Sequence, residues 1–150
     1  EHEDQVLNDQ TDEMESVIDY SSDIADAEKP DPLPVGEYPA TIIEAVKKYG
    51  KESGRPYASI RVQIASDAMP ADYVEKWQKD QVSLTAMQFI CEDTPQGRYN
   101  ARRFCEAVGM RMGKRLDLGE LKGLETKVAV SHDKDLNGDP TERVQRFLPL

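Results

Sequence analysis

Four cations and two tyrosines fall within one short stretch, KKYGKESGRPY: Lys47, Lys48, Lys51 and Arg55, with Tyr49 and Tyr57. Arg61 follows, and on a strand it would share a face with Tyr57, because side chains alternate with period two. Cations neutralise phosphates, and an aromatic ring stacks on any base, each stacked base contributing about 1–3 kcal/mol. This residue set is what a flexible, single-stranded nucleic acid requires. A solvated hairpin can carry the same lysines, so the stretch defines a candidate surface rather than a motif.

Other stretches carry less. Arg98, Arg102 and Arg103 fall on an expected helix, with Arg98 and Arg102 one turn apart on a side opposite most of its apolar stripe. A solvated helix face explains them as well as a phosphate site does. Trp77 is either a stacking platform or a cover for one end of the core. The run DKDLNGD, starting at Asp133, matches the beginning of a calcium loop, but Val144 stands where the bidentate glutamate is needed. Asn-Gly closes a hairpin without any ion, so no metal is assigned. Cys91 and Cys105 form no CxxC, and with only His2 and His132 beside them no zinc quartet has useful spacing. They read as free thiols in a reducing compartment. G-x-S-x-G, P-loop and HExxH signatures are absent. The chain is therefore read as a non-enzyme with no catalytic residues and no cofactor.

The elements that must position the basic stretch can be read in order. A first strand runs from about Tyr38 to Lys47, β-branched at Thr41, Ile42, Ile43 and Val46. YGKESG is a turn. In the second strand Ala58, Ile60, Val62 and Ile64 alternate with Tyr57, Ser59, Arg61 and Gln63. After an excursion with a helical turn near Tyr73 to Gln78, a third strand covers Gln81 to Cys91. Thr94 and Pro95 then suit the N-cap and first position of a helix with a stripe at Ala101, Phe104, Cys105 and Val108, ended by Gly109. ETKVAVSH is a fourth strand with Val128 and Val130 inward, and ERVQRFLPL is a fifth. The order β-β-β-α-β-β, with one helix between strands three and four, predicts a mainly β, five-stranded OB-like barrel. In such a barrel the loop between strands one and two borders the binding face. A five-stranded sandwich with a packed helix gives the same string.

Charge divides the 150 residues. Residues 1–32 hold twelve acidic residues and one lysine; residues 33–150 hold 17 acidic and 18 basic ones. The low isoelectric point thus belongs to an acidic N-terminal arm, 1–32, ahead of a nearly neutral domain, 33–150. The arm has too little apolar surface to offset its ordering entropy alone. Met14, Val17, Ile18 and Ile24 sit close to one helical stripe, which suits a segment that folds on a partner. The proline-rich EKPDPLP reads as a stiff connection to the domain. No apolar run is long enough to span a membrane, and the acidic start is unlike a signal peptide. The expectation is a soluble protein of intracellular origin.

The segments LPVGEYPATI, NARRFCEAVG and LDLGELKGLETKVAV, with the ending VQRFLPL, resemble a family of small bacteriophage and prophage proteins. The resemblance covers roughly residues 33–150. It implies an OB-like body and a sequence-non-specific single-stranded-DNA-binding role in replication or recombination, in the host cytoplasm. Residues 1–32 would then recruit phage replication proteins or a second copy of the chain. The alternative is a virion assembly protein whose arm clamps capsid subunits.

Overall fold

The alternation at Ala58, Ile60, Val62 and Ile64 puts four fully buried side chains on one side of a strand, and a sheet grows around it. A computed structural model describes residues 16–150. The strands are Gly36–Tyr49 (β1), Pro56–Ala65 (β2), Gln81–Ile90 (β3), Glu125–Lys134 (β4) and Pro140–Leu148 (β5). Two helices are present, Ala71–Trp77 (α1) and Pro95–Val108 (α2), with a 3₁₀ turn at Leu118–Leu121 before β4. The protein is mainly β, as expected. The excursion after β2 holds a true short helix, α1, so there are two helices rather than one. Gln78, at φ 51°, ends α1.

All pairing is antiparallel, in the order β3-β2-β1-β4-β5. The sheet is curled, and no ladder joins β3 to β5 among the described residues. Curling is built into β1. Its first half, Gly36 to Thr41, pairs with β4, and its second half, Thr41 to Tyr49, pairs with β2. Early in the second half the register shifts at Ile43, a β-bulge that bends the strand and increases its twist. Similar shifts occur in the β2–β3 and β4–β5 ladders.

Helix α2 closes the gap between the edges. Thr94 caps it, its hydroxyl accepting from the Gly97 N–H at 3.0 Å, and Gly109 ends it at φ 74°. The expected stripe is the buried one: Phe104, Cys105 and Val108 face the core and Ala101 packs beside them. Phe104 lies 5.3 Å from Phe89 of β3 and 5.3 Å from Phe147 of β5, ring centre to ring centre. These are the only phenylalanines in the chain. Trp77 of α1 is half-buried against the same core.

The chain divides into two units, 1–30 and 31–150. In the first, the described residues 16–30 contain one 3₁₀ turn, Ile24–Asp26, capped by the Asp23 carboxylate. In the second, the start of the domain is pinned. Leu33 is fully buried, its N–H donates to Glu142 Oε2 at 2.7 Å, and His132 Nε2 donates to its carbonyl at 2.7 Å. The Tyr73 hydroxyl donates to the Asp31 carbonyl at 3.0 Å. The proline-rich stretch is therefore anchored from Asp31 onward.

Two substitutions test this packing. Phe104→Ala removes the ring that bridges both sheet edges and should cost about 3–5 kcal/mol in urea unfolding. Gly97→Ala is the sharper test. Helix propensity alone favours alanine by about 1 kcal/mol. But a Cβ at Gly97 would stand 2.1 Å from the Glu92 carbonyl oxygen. A net loss of about 1–3 kcal/mol is expected, as for overpacking; a gain would mean that α2 does not begin against Glu92.

Candidate functional site

The bulge at Ile43 decides where the lysines of β1 point. Directly paired residues share a face. Ala45 pairs with Ile60 and Lys47 with Ala58, so Ala45 and Lys47 lie on the core side of the sheet. Glu44 pairs with Arg61, Val46 with Ser59 and Lys48 with Tyr57, so these lie on the outer side. On β3 the same outer face continues with Ile90 beside Tyr57 and Thr85 beside Arg61. The Gln63 and Gln81 side chains hydrogen-bond across its far end.

Three of the seven expected residues, Lys48, Tyr57 and Arg61, thus share one open face. Tyr57 is half-buried and lies in register between Lys48 and Ile90. Arg61 and Lys48 are exposed and form no ion pair among the described residues. Val46, between them, is also exposed. Glu44 opposite Arg61 is the one carboxylate on this part of the face.

The other four residues go elsewhere. Lys47 and Tyr49 lie on the opposite side, with the Lys47 ammonium 5.5 Å from the Tyr49 ring centre. Lys51 sits in the turn, which is closed by the Gly50 N–H donating to the Arg55 carbonyl at 2.9 Å. Arg55 is already engaged. Its Nε and Nη2 donate to the two oxygens of Glu92 at 3.0 and 2.5 Å, tying the hairpin to the chain just after β3. This fork holds the Glu92 carboxyl below its usual range, and Arg55 correspondingly above its own. Arg55 is therefore a structural clasp.

No family model matches the chain, and no curated protein matches it at a significant level.

The helix arginines behave as a solvated face. Arg98 pairs with Asp93, Arg102 with Glu106 at 3.4 Å, and Arg103 lies 6.0 Å from the Tyr99 ring centre. In the acidic turn the Asp135 carboxylate accepts from the N–H groups of Asn137 and Asp139 at 2.9 and 3.0 Å, and Asp133 pairs with Arg143 at 3.3 Å. Those oxygens serve the turn itself. This turn and the basic β1–β2 turn leave the sheet at opposite ends of β1, as the registers require. Among the described residues no three carboxylates, histidines or cysteines converge as a metal site. Val17, Ile18 and Ile24 are each 68% exposed and lie outside any α-helix; Met14 falls outside the described residues.

Sequence reasoning passed over Arg111, Lys114 and Arg115, which follow α2 in the loop RMGKR. Three cations in five residues was the available signal. It was missed because the loop has no aromatic residue and no strand pattern. Burial pushes up both thiols near this loop, Cys91 and Cys105, while the Lys47 charge pulls Cys91 part of the way back.

The Arg55–Glu92 clasp has a pH signature. A carboxyl held low in the folded state adds stability above its unfolded pKa, and that stability is lost as pH falls through the folded value. Thermal melts of the wild type and Arg55→Ala should differ most at neutral pH and converge as the pH falls below the ordinary carboxylate range. A difference that persists undiminished in acid would mean that the pair contributes by packing alone.

Proposed function

We propose that this protein binds single-stranded DNA without reading sequence, and that the outer face of β1, β2 and β3 is where it does so. The observation that carries this is the row Lys48–Tyr57 beside Arg61 on the outer sheet face. A half-buried tyrosine ring offers a face on which a base can stack, and two cations that form no ion pair among the described residues stand ready for phosphates. Stacking on a ring and pairing with phosphates are both tolerant of base identity, which is why the reading is sequence-non-specific. The strand order, with α2 between β3 and β4 and the open edges of β3 and β5 facing each other across it, supports reading the curled sheet as an OB-like barrel. In that fold the face of strands two and three is the usual place for oligonucleotides. A protective role in phage replication or recombination is added to this reading by the sequence resemblance, with Val17, Ile18 and Ile24 of the acidic arm offered to protein partners.

Labelled oligo-dT should bind the full chain at low salt, with affinity falling as salt rises, and a duplex of equal length should bind more weakly. Tyr57→Ala should cost about 1–3 kcal/mol of binding with little change in salt dependence. Lys48→Ala should instead lower the salt slope by about 0.7, the value for one phosphate contact to a single strand. No detectable binding at low salt would overturn the proposal.

A further inference from the structure

Lys47 and Lys48 are consecutive, yet their side chains lie on opposite sides of the sheet. Lys48 belongs to the outer face. Lys47 enters a cleft of about 770 Å³ between the end of β3, α2 and the 109–117 loop. Six cations line this cleft: Lys47, Arg98, Arg102, Arg111, Lys114 and Arg115. Two carboxylates, Glu92 and Asp93, oppose them, and both are committed, to Arg55 and Arg98. Lys47, Arg111, Lys114 and Arg115 form no ion pair among the described residues. In a chain of net charge −10, such a local excess of free cations is a surface for a polyanion.

The lining also says which part of a polyanion fits. Met112, Leu116 and Ala101 supply apolar wall, and the one aromatic residue, Phe89, is buried under α2. None of the lining residues offers an exposed ring on which a base could stack; the exposed Tyr49 ring beside Lys47 is not part of the lining. Guanidinium and ammonium groups on a loop without aromatics suit phosphates.

We infer that a single strand lying on the outer face turns over the end of β1 and continues into this cleft, where Lys47, Arg111, Lys114 and Arg115 hold its phosphates while Tyr57 on the outer face holds a base. This rests on the nucleic-acid reading above and extends it by a second, purely electrostatic part of the path. It predicts a division of labour: the outer face governs stacking and the cleft governs salt dependence. The bound strand would also cover Cys91, and by neutralising Lys47 it would leave the thiol less ready to ionise.

The test uses the full chain and a triple variant, Arg111→Ser, Lys114→Ser and Arg115→Ser. All three side chains are exposed, so the melting temperature should be unchanged. Oligo-dT binding is measured across salt concentrations, and alkylation of Cys91 is followed by mass spectrometry with and without the oligonucleotide. The variant's salt slope should fall by about 2, from three lost contacts at about 0.7 each. In the wild type, oligo-dT of about 16 nucleotides should slow Cys91 alkylation several-fold, and one of about 4 should do so much less. If the oligonucleotide binds but the slope is unchanged and Cys91 stays as reactive as in the free protein, the cleft is not on the path and the outer-face reading stands alone. If a glutamate-rich peptide protects Cys91 and oligo-dT does not, the cleft is a protein-docking surface and the inference is overturned. If oligo-dT does not bind the wild type at all, the nucleic-acid reading itself fails, and this extension with it.

Discussion

Three phenylalanine rings hold this fold closed. Phe89 and Phe147 stand on β3 and β5, the two edges that no ladder joins among the described residues, and Phe104 of α2 lies between them in contact with both. An open edge exposes unpaired backbone groups and invites association with other chains. Placing an amphipathic helix over the gap covers it without strand pairing, and aromatic contacts of this kind add about 0.5–1.5 kcal/mol beyond the area they bury. The helix can lie there only because its first turn is allowed to approach the chain leaving β3, which is what Gly97 permits. The Thr94 cap and the Arg55–Glu92 clasp then fix the same corner from both sides.

Once α2 is seated, the surfaces follow. The helix and the loop after it form the far wall of the cleft that receives Lys47. The bulge at Ile43 sends Lys48 and Val46 to the outer face and Ala45 and Lys47 to the inner one. Strand alternation alone separates the two adjacent lysines, and the inserted residue sets which of them takes which face. The charge is local on both: Arg55, Arg98, Arg102 and Arg143 have carboxylate partners, whereas Arg61 and the cations of the 109–117 loop form no ion pair among the described residues. Net charge therefore describes this protein poorly, since its acid is concentrated in residues 1–32 and its available base in a few square nanometres of the domain.

The amino-terminal edge of the domain is secured by polar contacts around one apolar anchor. Leu33 is buried completely, and its backbone N–H and carbonyl are satisfied by Glu142 of β5 and His132 of β4. Buried backbone groups require such partners. The two side chains come from adjacent strands, so their arrangement exists only after the β4–β5 hairpin has formed. Asp31 is held by the Tyr73 hydroxyl and lies 3.6 Å from the Lys76 ammonium, both on α1.

The sequence by itself determined the elements and most of the core. Alternation in β2, the Thr94–Pro95 start and Gly109 stop of α2, and its stripe through Phe104 are local signals, because they depend on dihedral preferences and on period-two or period-3.6 burial. Residue types also named the chemistry: tyrosine with lysine and arginine. What the tertiary structure decided was adjacency and facing. Side-chain direction in a strand reverses with every inserted residue, and no composition rule announces the bulge at Ile43, so alternation separated Lys47 from Lys48 but could not say which of them faces outward. Arg55 looked as free as Lys48 because its partner, Glu92, is 37 positions away. The cations of the 109–117 loop carry meaning only beside Lys47, and that neighbour is brought to them by the sheet's curl and the helix laid across its open edge.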